Sequence, residues 1–406
     1  MLTAEENERL TRVGPGTPGG ELLRRYWHPI ALLPELTDAA PTKHLRILGE
    51  DLVLFRDRSG SVGLLADHCS HRGASLLYGR VEERGISCAY HGWLYDVNGN
   101  CLETPAEPSD SKFHLTVKQR AYPVREYCGL YWTYLGPLPA PALPRYDCFD
   151  GYPVKTVQEV APLDCNWLQV VEQNVDQVHA FILHQDVGSN MEKRRGDPTM
   201  NTTRGQIDQL VSLDYCEAPF GISRREIRRN GYDMTNFIVF PTTIRIYNFF
   251  AVKVPVDDTH TRLLNIFVDA PDGPDSPPGN AIANGSERPI EFLVADVAEE
   301  AKRPLDAVHP EATYRMDKLR FQDLMALETQ GPILDRTTER LGTSDRGVML
   351  LRSMLLREME IVERGDDPLG VIRDPNHRPV DTFFENYVDV VRKYPRTGRP
   401  INPAVA

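Results

Sequence analysis

From about His44 the chain alternates in short apolar runs broken by turn residues. Leu45–Leu48 and Leu52–Phe55 flank Gly49-Glu50-Asp51, Ser59-Gly60 separates the next pair, and Asn98-Gly99 follows Trp93–Val97. A period of two reads as half-buried strand, and Asn-Gly between such runs as a tight hairpin turn. A small all-β region is therefore expected here. Ahead of it, Thr3-Ala-Glu-Glu6 has the pattern of a capping box, and Thr17-Pro18 that of a second helix start. Gly136–Pro144 carries four prolines in nine residues, a stiff connector rather than an element. Beyond it a helical stretch is expected from about Cys165. Strands are expected around Leu210–Leu213, Ile222–Ile227, Phe237–Phe240, Ile244–Val254 and Arg262–Val268, then a polar loop from Pro271 to Ser286. Helical blocks are expected at about Glu291–Gln330 and Asp345–Glu363, making the second half an α+β arrangement of a sheet packed by a long helix. The expected division is an N-terminal helical segment (1–40) packing on the larger domain, an all-β domain (41–144) and an α+β domain (145–406).

Composition narrows the field modestly. The 406 residues are 41% hydrophobic and 26% charged, ordinary for a globular protein. A formal charge of −12 argues against nucleic acid or an anionic membrane surface as partner. The most apolar stretch, Asn236 to Val256, is interrupted by Pro241, Arg245 and Asn248, so no transmembrane span is expected. The acidic start MLTAEENERL lacks an apolar signal region, and a cytoplasmic location is expected. Cys101, Cys128, Cys148, Cys165 and Cys216 have no framework spacing, as expected of reduced thiols.

The other two cysteines carry the chemistry. Cys69-x-His71 is followed, sixteen residues on, by Cys88-x-x-His91. Two matched Cys/His pairs suit a Rieske 2Fe–2S cluster, in which two thiolates hold one iron and two imidazoles hold the other. Glycine follows each pair (Gly73 and Gly92), which allows each loop to turn tightly. A Cys2His2 zinc site is the alternative, although such modules usually open with two cysteines and close with two histidines.

A second constellation is Asp176-x-x-His179-x4-His184, in the expected helical stretch. Two imidazoles and a carboxylate form a facial triad that binds Fe(II) and leaves positions open for O2. At about 100° per residue Asp176 and His179 share a helix face, but His179 and His184 stand about 140° apart. A regular helix cannot aim both at one metal, so a kink, bulge or helix end is expected between them.

With both motifs in view, the chain resembles the Rieske non-haem iron ring-hydroxylating oxygenases, specifically the phthalate-dioxygenase type built from α subunits alone. The resemblance runs from VGPGTPGGELLRRYWHPIAL through CSHRGASL, CAYHGWLYD and DQVHAFILH to VPVDDTHT and RFQDLMALETQGPILDRTTERLGTSD. It implies a Rieske domain followed by a catalytic domain with a helix-grip, START-like antiparallel sheet. It supplies Asp323, in RFQD, as the carboxylate ligand beside His179 and His184. It gives Asp176 a different role, bonding His179 and, across an interface, His91 of a neighbouring subunit, and so implies a homotrimer or stacked trimers. Many relatives have Asn four positions before that Asp, whereas this chain has Glu172.

The resemblance further implies one mononuclear Fe(II) per subunit, O2 as cosubstrate, and NADH electrons delivered by a separate flavin and iron–sulfur reductase. Gly14-x-Gly16-x-x-Gly19 has dinucleotide spacing but precedes any expected strand, so it is read as a loop coincidence. The expected product is an arene cis-dihydrodiol, or a hydroxylated or O- or N-dealkylated compound where one oxygen atom is inserted. For the substrate, alternation along Ile244–Phe249 sets Arg245, Tyr247 and Phe249 on one face. Arg245 is the candidate to bind an aryl carboxylate bidentately, against the alternative of an edge-strand arginine in a surface ion pair. Arg224, Arg225, Arg228 and Arg229 form a basic run read as a solvated strand or a reductase-docking patch. Two other classes stay open at this level: an electron carrier without catalytic iron, and a zinc-stabilised binding protein.

Overall fold

The computed structural model describes residues 1–147, 149, 153–185, 207–229, 231, 233–246, 249–268, 289–295, 297–302, 314–380 and 382. Helix α1 (Ala4–Thr11) begins at the expected capping box: the Glu6 N–H donates to Thr3 Oγ1 at 3.1 Å, and the Thr3 N–H donates to the Glu6 carboxylate at 2.7 Å. Helix α2 (Pro18–Leu23) is capped by Thr17, whose hydroxyl accepts from Gly20 N at 3.1 Å. The helical expectation for 1–40 ends there. β1 (Trp27–Leu32) is a fully buried strand that pairs with β11 (Leu130–Tyr134). Its six consecutive buried residues lack a period of two because both faces are covered.

His28 lies in that strand, 1% exposed, with Nε2 2.8 Å from the Leu23 carbonyl and Nδ1 without a partner among the described residues. Burial drives its pKa down to about 4, opposed by the Leu23 carbonyl and helped by Arg24. The ring is therefore neutral in the fold and must charge on unfolding. The stability this contributes is complete above the unfolded value near 6.5 and is lost as pH falls through about 4. The expected loss is roughly 3 kcal/mol. Urea unfolding of wild type and His28→Gln between pH 7 and 4 checks it: the variant should show a shallower decline, and parallel profiles would refute the assignment.

The all-β part comprises β2 (Thr42–Ile47), β3 (Glu50–Arg56), β4 (Val62–Ala66), β5 (Arg80–Glu82), β6 (Gly85–Ser87), β7 (Leu94–Tyr95), β8 (Cys101–Glu103), β9 (Ala121–Tyr122) and β10 (Val124–Tyr127). They form two four-stranded sheets, β2-β3-β4-β9 and β5-β6-β7-β8, beside β1-β11-β10. The Asn98-Gly99 turn joins β7 to β8, with Gly99 at φ +80° and its Cβ position only 2.1 Å from the Gln119 carbonyl. No side chain fits there.

The larger sheet runs β13-β14-β15-β16-β17-β18-β12-β19. Its strands are β12 (Val154–Leu163), β13 (Leu210–Ala218), β14 (Gly221–Arg228), β15 (Asp233–Val239), β16 (Thr243–Ile246), β17 (Phe249–Pro255), β18 (Thr261–Val268) and β19 (Glu291–Ala295). Neighbours are antiparallel except β12 and β19. The expected strand Ile244–Val254 is two strands, with Ile246 opposite Phe249; Tyr247 and Asn248 lie outside the described residues. The expected helical block from Glu291 opens instead as an edge strand, because the short apolar run Phe292-Leu293-Val294 carries no helical period and pairs with β12. The expected loop from Pro271 to Ser286 lies outside the described residues.

Among the described residues the helices of this half are α3 (Trp167–Val175), α4 (Val178–Ile182), α5 (Val297–Ala301), α6 (Leu319–Glu328) and α7 (Arg346–Glu363). The long α7 packs on α1, α2, α3 and β13. One apolar core joins β1, β2, β3 and β11 to α3, α7 and one face of the large sheet. A separate cluster (Val160, Leu163, Cys165, Val170, Phe321, Leu324, Leu327) seats α6 against the opposite face.

Candidate metal centres

Both Cys/His pairs sit on loops of one construction. The Gly73 N–H donates to the Cys69 carbonyl, and the Gly92 N–H to the Cys88 carbonyl, each at 2.8 Å. Both glycines have φ of +74°, the left-handed turn that brings the chain back past its ligand residues. Cys69 and Cys88 are buried and in contact with each other, and burial raises the Cys88 thiol pKa. The His71 and His91 rings lie 4.6 Å apart, and His71 stacks on Trp93 at 4.2 Å. Tyr95 Oη is 3.2 Å from Cys69 Sγ and 3.0 Å from Ser70 Oγ. Gln119 pins the first loop, accepting from Ser70 N and donating to the Ala66 and His68 carbonyls. His91 Nδ1 is buried without a partner among the described residues. Two touching thiols and two adjacent imidazoles, one with an orphaned nitrogen, are a donor set that fits a Rieske cluster.

The second constellation depends on where α3 stops. Asp176 ends that helix in extended conformation (ψ 101°), and α4 begins two residues later. Side chains from the sheet cap the final carbonyls: Tyr215 Oη donates to Val175 O at 2.6 Å and Arg224 Nη1 to Asn174 O at 2.5 Å. Asp176 Oδ1 accepts from Val178 N at 2.9 Å and His179 N at 3.3 Å, so its carboxylate starts the next helix. Asp176 thus stands in the break between α3 and α4 while His179 is on α4, correcting the shared helix face. Helix α4 ends at Ile182, between His179 and His184, where the geometry of two ligands on one metal required a break.

That break brings three donors together. Ligand atoms of His179, His184 and Asp323 lie within 4.8 Å of one another. Asp323 Oδ1 is 3.0 Å from His184 Nε2 and 3.8 Å from His179 Nε2. Two glutamines that the sequence reading missed hold the group. Gln173 Nε2 donates to Asp323 Oδ1 at 2.8 Å, and Gln322 Oε1 lies 2.9 Å from His184 Nδ1. Their signal was only position, Gln322 adjoining Asp323 and Gln173 preceding the Asp176 break. Burial opposes charge on His184, yet Asp323 and Gln322 hold its pKa above the ordinary range. Burial also works against the Asp176 anion, but the His179 ring at 3.7 Å and the backbone donors keep its pKa low. Two imidazoles and one anion, each with an outer hydrogen bond or ion partner, fit a divalent transition metal such as Fe(II).

Other sequence candidates have internal partners. Arg245 is buried, and Nη1 donates to both Asp147 carboxylate oxygens at 2.7 and 2.8 Å and to Thr382. Its register partner is Phe250, so it stands on the sheet face opposite α6, the helix that carries Asp323. The ion pair of Arg245 differs from the surface pair on an edge strand that the alternative expected: it is buried, on β16 between β15 and β17, and Phe249 does not share its face. The basic run has partners within the chain: Arg224 caps α3, Arg225 pairs with Asp233, Arg228 with Glu226, and Arg229 donates to Asp208 O.

The Rieske [2Fe-2S] domain family matches residues 26–126. The 5,5'-dehydrodivanillate O-demethylase oxygenase subunit of Sphingobium sp. (strain NBRC 103272 / SYK-6) is 37% identical over 92% of this chain and 84% of its own length. The phthalate 4,5-dioxygenase oxygenase subunit of Pseudomonas putida is 33% identical over 91% of this chain and 89% of its own. The chain belongs to the Rieske non-haem iron oxygenases, as an α subunit of the phthalate dioxygenase-like group. Among solved structures, a carbazole-bound oxygenase of carbazole 1,9a-dioxygenase, in complex with ferredoxin, superposes with a TM-score of 0.59 at 18% identity, covering 92% of this oxygenase and 97% of that chain. At that identity the likeness speaks for the fold, a Rieske all-β domain plus a catalytic domain with a large mixed sheet and long helix. No helix among the oxygenase's described residues is long and apolar enough to cross a membrane.

Proposed function

We propose that this oxygenase hydroxylates an aromatic acid or related aryl compound, with O2 as cosubstrate and NADH-derived electrons supplied by a flavin and iron–sulfur reductase. The observation that carries the reading is the convergence of His179, His184 and Asp323 in a chain that also holds a Rieske domain. Cys69, Cys88, His71 and His91 would hold the cluster, and the three convergent residues a ferrous ion. When bound, the cluster would supply one-electron delivery and the ferrous ion dioxygen activation beside the substrate. The chain's own part is positional. Gln173 and Gln322 orient Asp323 and His184, the capped end of α3 aims His179, and the sheet and α6 exclude water from the interior.

Iron and acid-labile sulfide analysis tests this directly. About three irons and two sulfides per chain are expected; two irons would indicate a carrier without catalytic metal. Product analysis with a panel of aryl acids and a surrogate reductase would then identify the reaction. cis-Dihydroxylation is the first reading. O- or N-dealkylation is the second, favoured by the likeness to an O-demethylase subunit.

Asp176 is assigned to coupling between subunits of a trimer or hexamer, through the partner's His91. Asp176→Asn separates that role from helix capping, because the amide oxygen can still accept from Val178 N and His179 N. Turnover is expected to fall on the order of 10- to 100-fold, with iron content, cluster spectrum and stability retained. Wild-type turnover in Asp176→Asn would leave capping as the residue's whole role.

A further inference from the structure

Lys253 is a cation in the wrong place for a structural residue. It lies in the middle of β17, 4% exposed, and its hydrogen bond goes to the carbonyl of Ala251 at 3.2 Å in its own strand. That bond uses one of three ammonium donors, and no carboxylate among the described residues pairs with it. An unpaired buried charge is costly and gives the fold nothing an apolar side chain would not. Burial alone pushes its pKa down to about 7. Across β18, Asn265 is 8% exposed and its Oδ1 is buried without a partner among the described residues.

Register places both groups. Lys253 stands opposite Leu263, which is opposite Val160, while Ala251 stands opposite Asn265. These residues share one sheet face by the period of the strand. Leu263 and Val160 pack with Phe321 and Leu324 of α6. The unpaired ammonium and amide oxygen therefore open onto the face covered by the helix that carries Asp323. Arg245, on the other face, already has its carboxylate.

We propose that the substrate binds on the face that α6 covers and that Lys253 determines its specificity, binding a carboxylate of the substrate, with Asn265 beside it. The assignment rests on the proposed aromatic oxygenase function and names the acidic group that function takes. A carboxylate brought to Lys253 supplies a counter-ion that no described residue provides, and the same acid with its carboxylate made an amide does not.

The test is equilibrium binding of phthalate and 3-chlorobenzoate, and of their amides, to iron-loaded wild type, Lys253→Met and Lys253→Arg by calorimetry. Wild type is expected to prefer the acids. In Lys253→Met acid affinity should fall on the order of 10- to 100-fold, with amide binding unchanged. Lys253→Arg should recover part of the acid preference and is the control if Lys253→Met folds poorly. The methionine variant should be at least as heat-stable as wild type without ligand, and should lose the acid-induced rise in Tm. Equal acid binding by wild type and Lys253→Met overturns the proposal, as does parallel loss of acid and amide, or a wild type that binds neither acid. The two readings fail separately. Aryl products formed equally well by Lys253→Met sink this assignment alone, while Lys253-dependent acid binding without oxidation of any aryl compound sinks the proposed function alone.

Discussion

Asp323→Ala should remove one of the three irons expected per chain and reduce turnover by at least about 1000-fold, while leaving the cluster spectrum intact. The reasoning is local. Asp323 Oδ1 is the anionic member of the triad, 3.0 Å from His184 Nε2 and 3.8 Å from His179 Nε2. Without it, two neutral imidazoles face each other with nothing to balance a dication, and a hard oxygen donor that favours Fe(II) retention is gone. Turnover that depends on the ion falls toward the uncatalysed background; 1000-fold corresponds to roughly 4 kcal/mol of lost transition-state stabilisation. The fold should hold, since Asp323 is a quarter exposed and its neighbours Phe321 and Leu324 keep α6 packed. Iron analysis, visible spectra and coupled O2 uptake on one preparation check each part. Full iron content with lost turnover would make Asp323 a catalytic or positioning group and not a ligand. Asp323→Glu should retain part of the iron, which a purely structural role would not require.

Whether a residue was legible in the sequence depended on how local its physics is. Both Cys/His loops were readable because a glycine at φ +74° four residues after each cysteine is a short-range requirement. The break between His179 and His184 was readable because helical geometry forbids the alternative. What produces the break was not. Tyr215 and Arg224 cap α3 from strands some forty to fifty residues away, and nothing in their local pattern marks them. Asp323 came only from resemblance, because several acidic residues follow it and spacing cannot choose among them. Arg245 shows the opposite failure: period-two alternation was carried from β16 into β17, which are two antiparallel strands and not one. The partner that occupies its guanidinium, Asp147, is 98 positions away.

Glu172→Ala should cost about 3 to 5 kcal/mol of stability, the cost of breaking a buried ion network by removing its shared partner. Glu172 is 8% exposed and accepts from two guanidiniums, Arg336 Nη2 at 2.8 Å and Arg352 Nε at 2.6 Å. Arg352 also holds Glu339, and Arg336, which is fully buried, reaches Asn7 Oδ1 and the Leu334 carbonyl. One carboxylate therefore ties α3 to α7, to the loop after α6 and to α1. Its loss leaves Arg352 with Glu339 and the fully buried Arg336 with no carboxylate among the described residues. Gln173, the next residue along α3, donates to Asp323, so the damage should also weaken the triad. Urea unfolding gives the stability, and iron retention during dialysis against a chelator gives the consequence at the site. A loss below about 1 kcal/mol, the range of exposed pairs, would mean that water satisfies the two arginines and that the network is not what seats α3. Replacing Glu172, Arg336 and Arg352 together by methionine supplies the contrasting case. With both buried cations gone and only the partly exposed Glu339 losing its partner, the triple variant should be more stable than Glu172→Ala alone. If it also keeps its iron, the network's part in the site is to place α3, and packing alone can do the same.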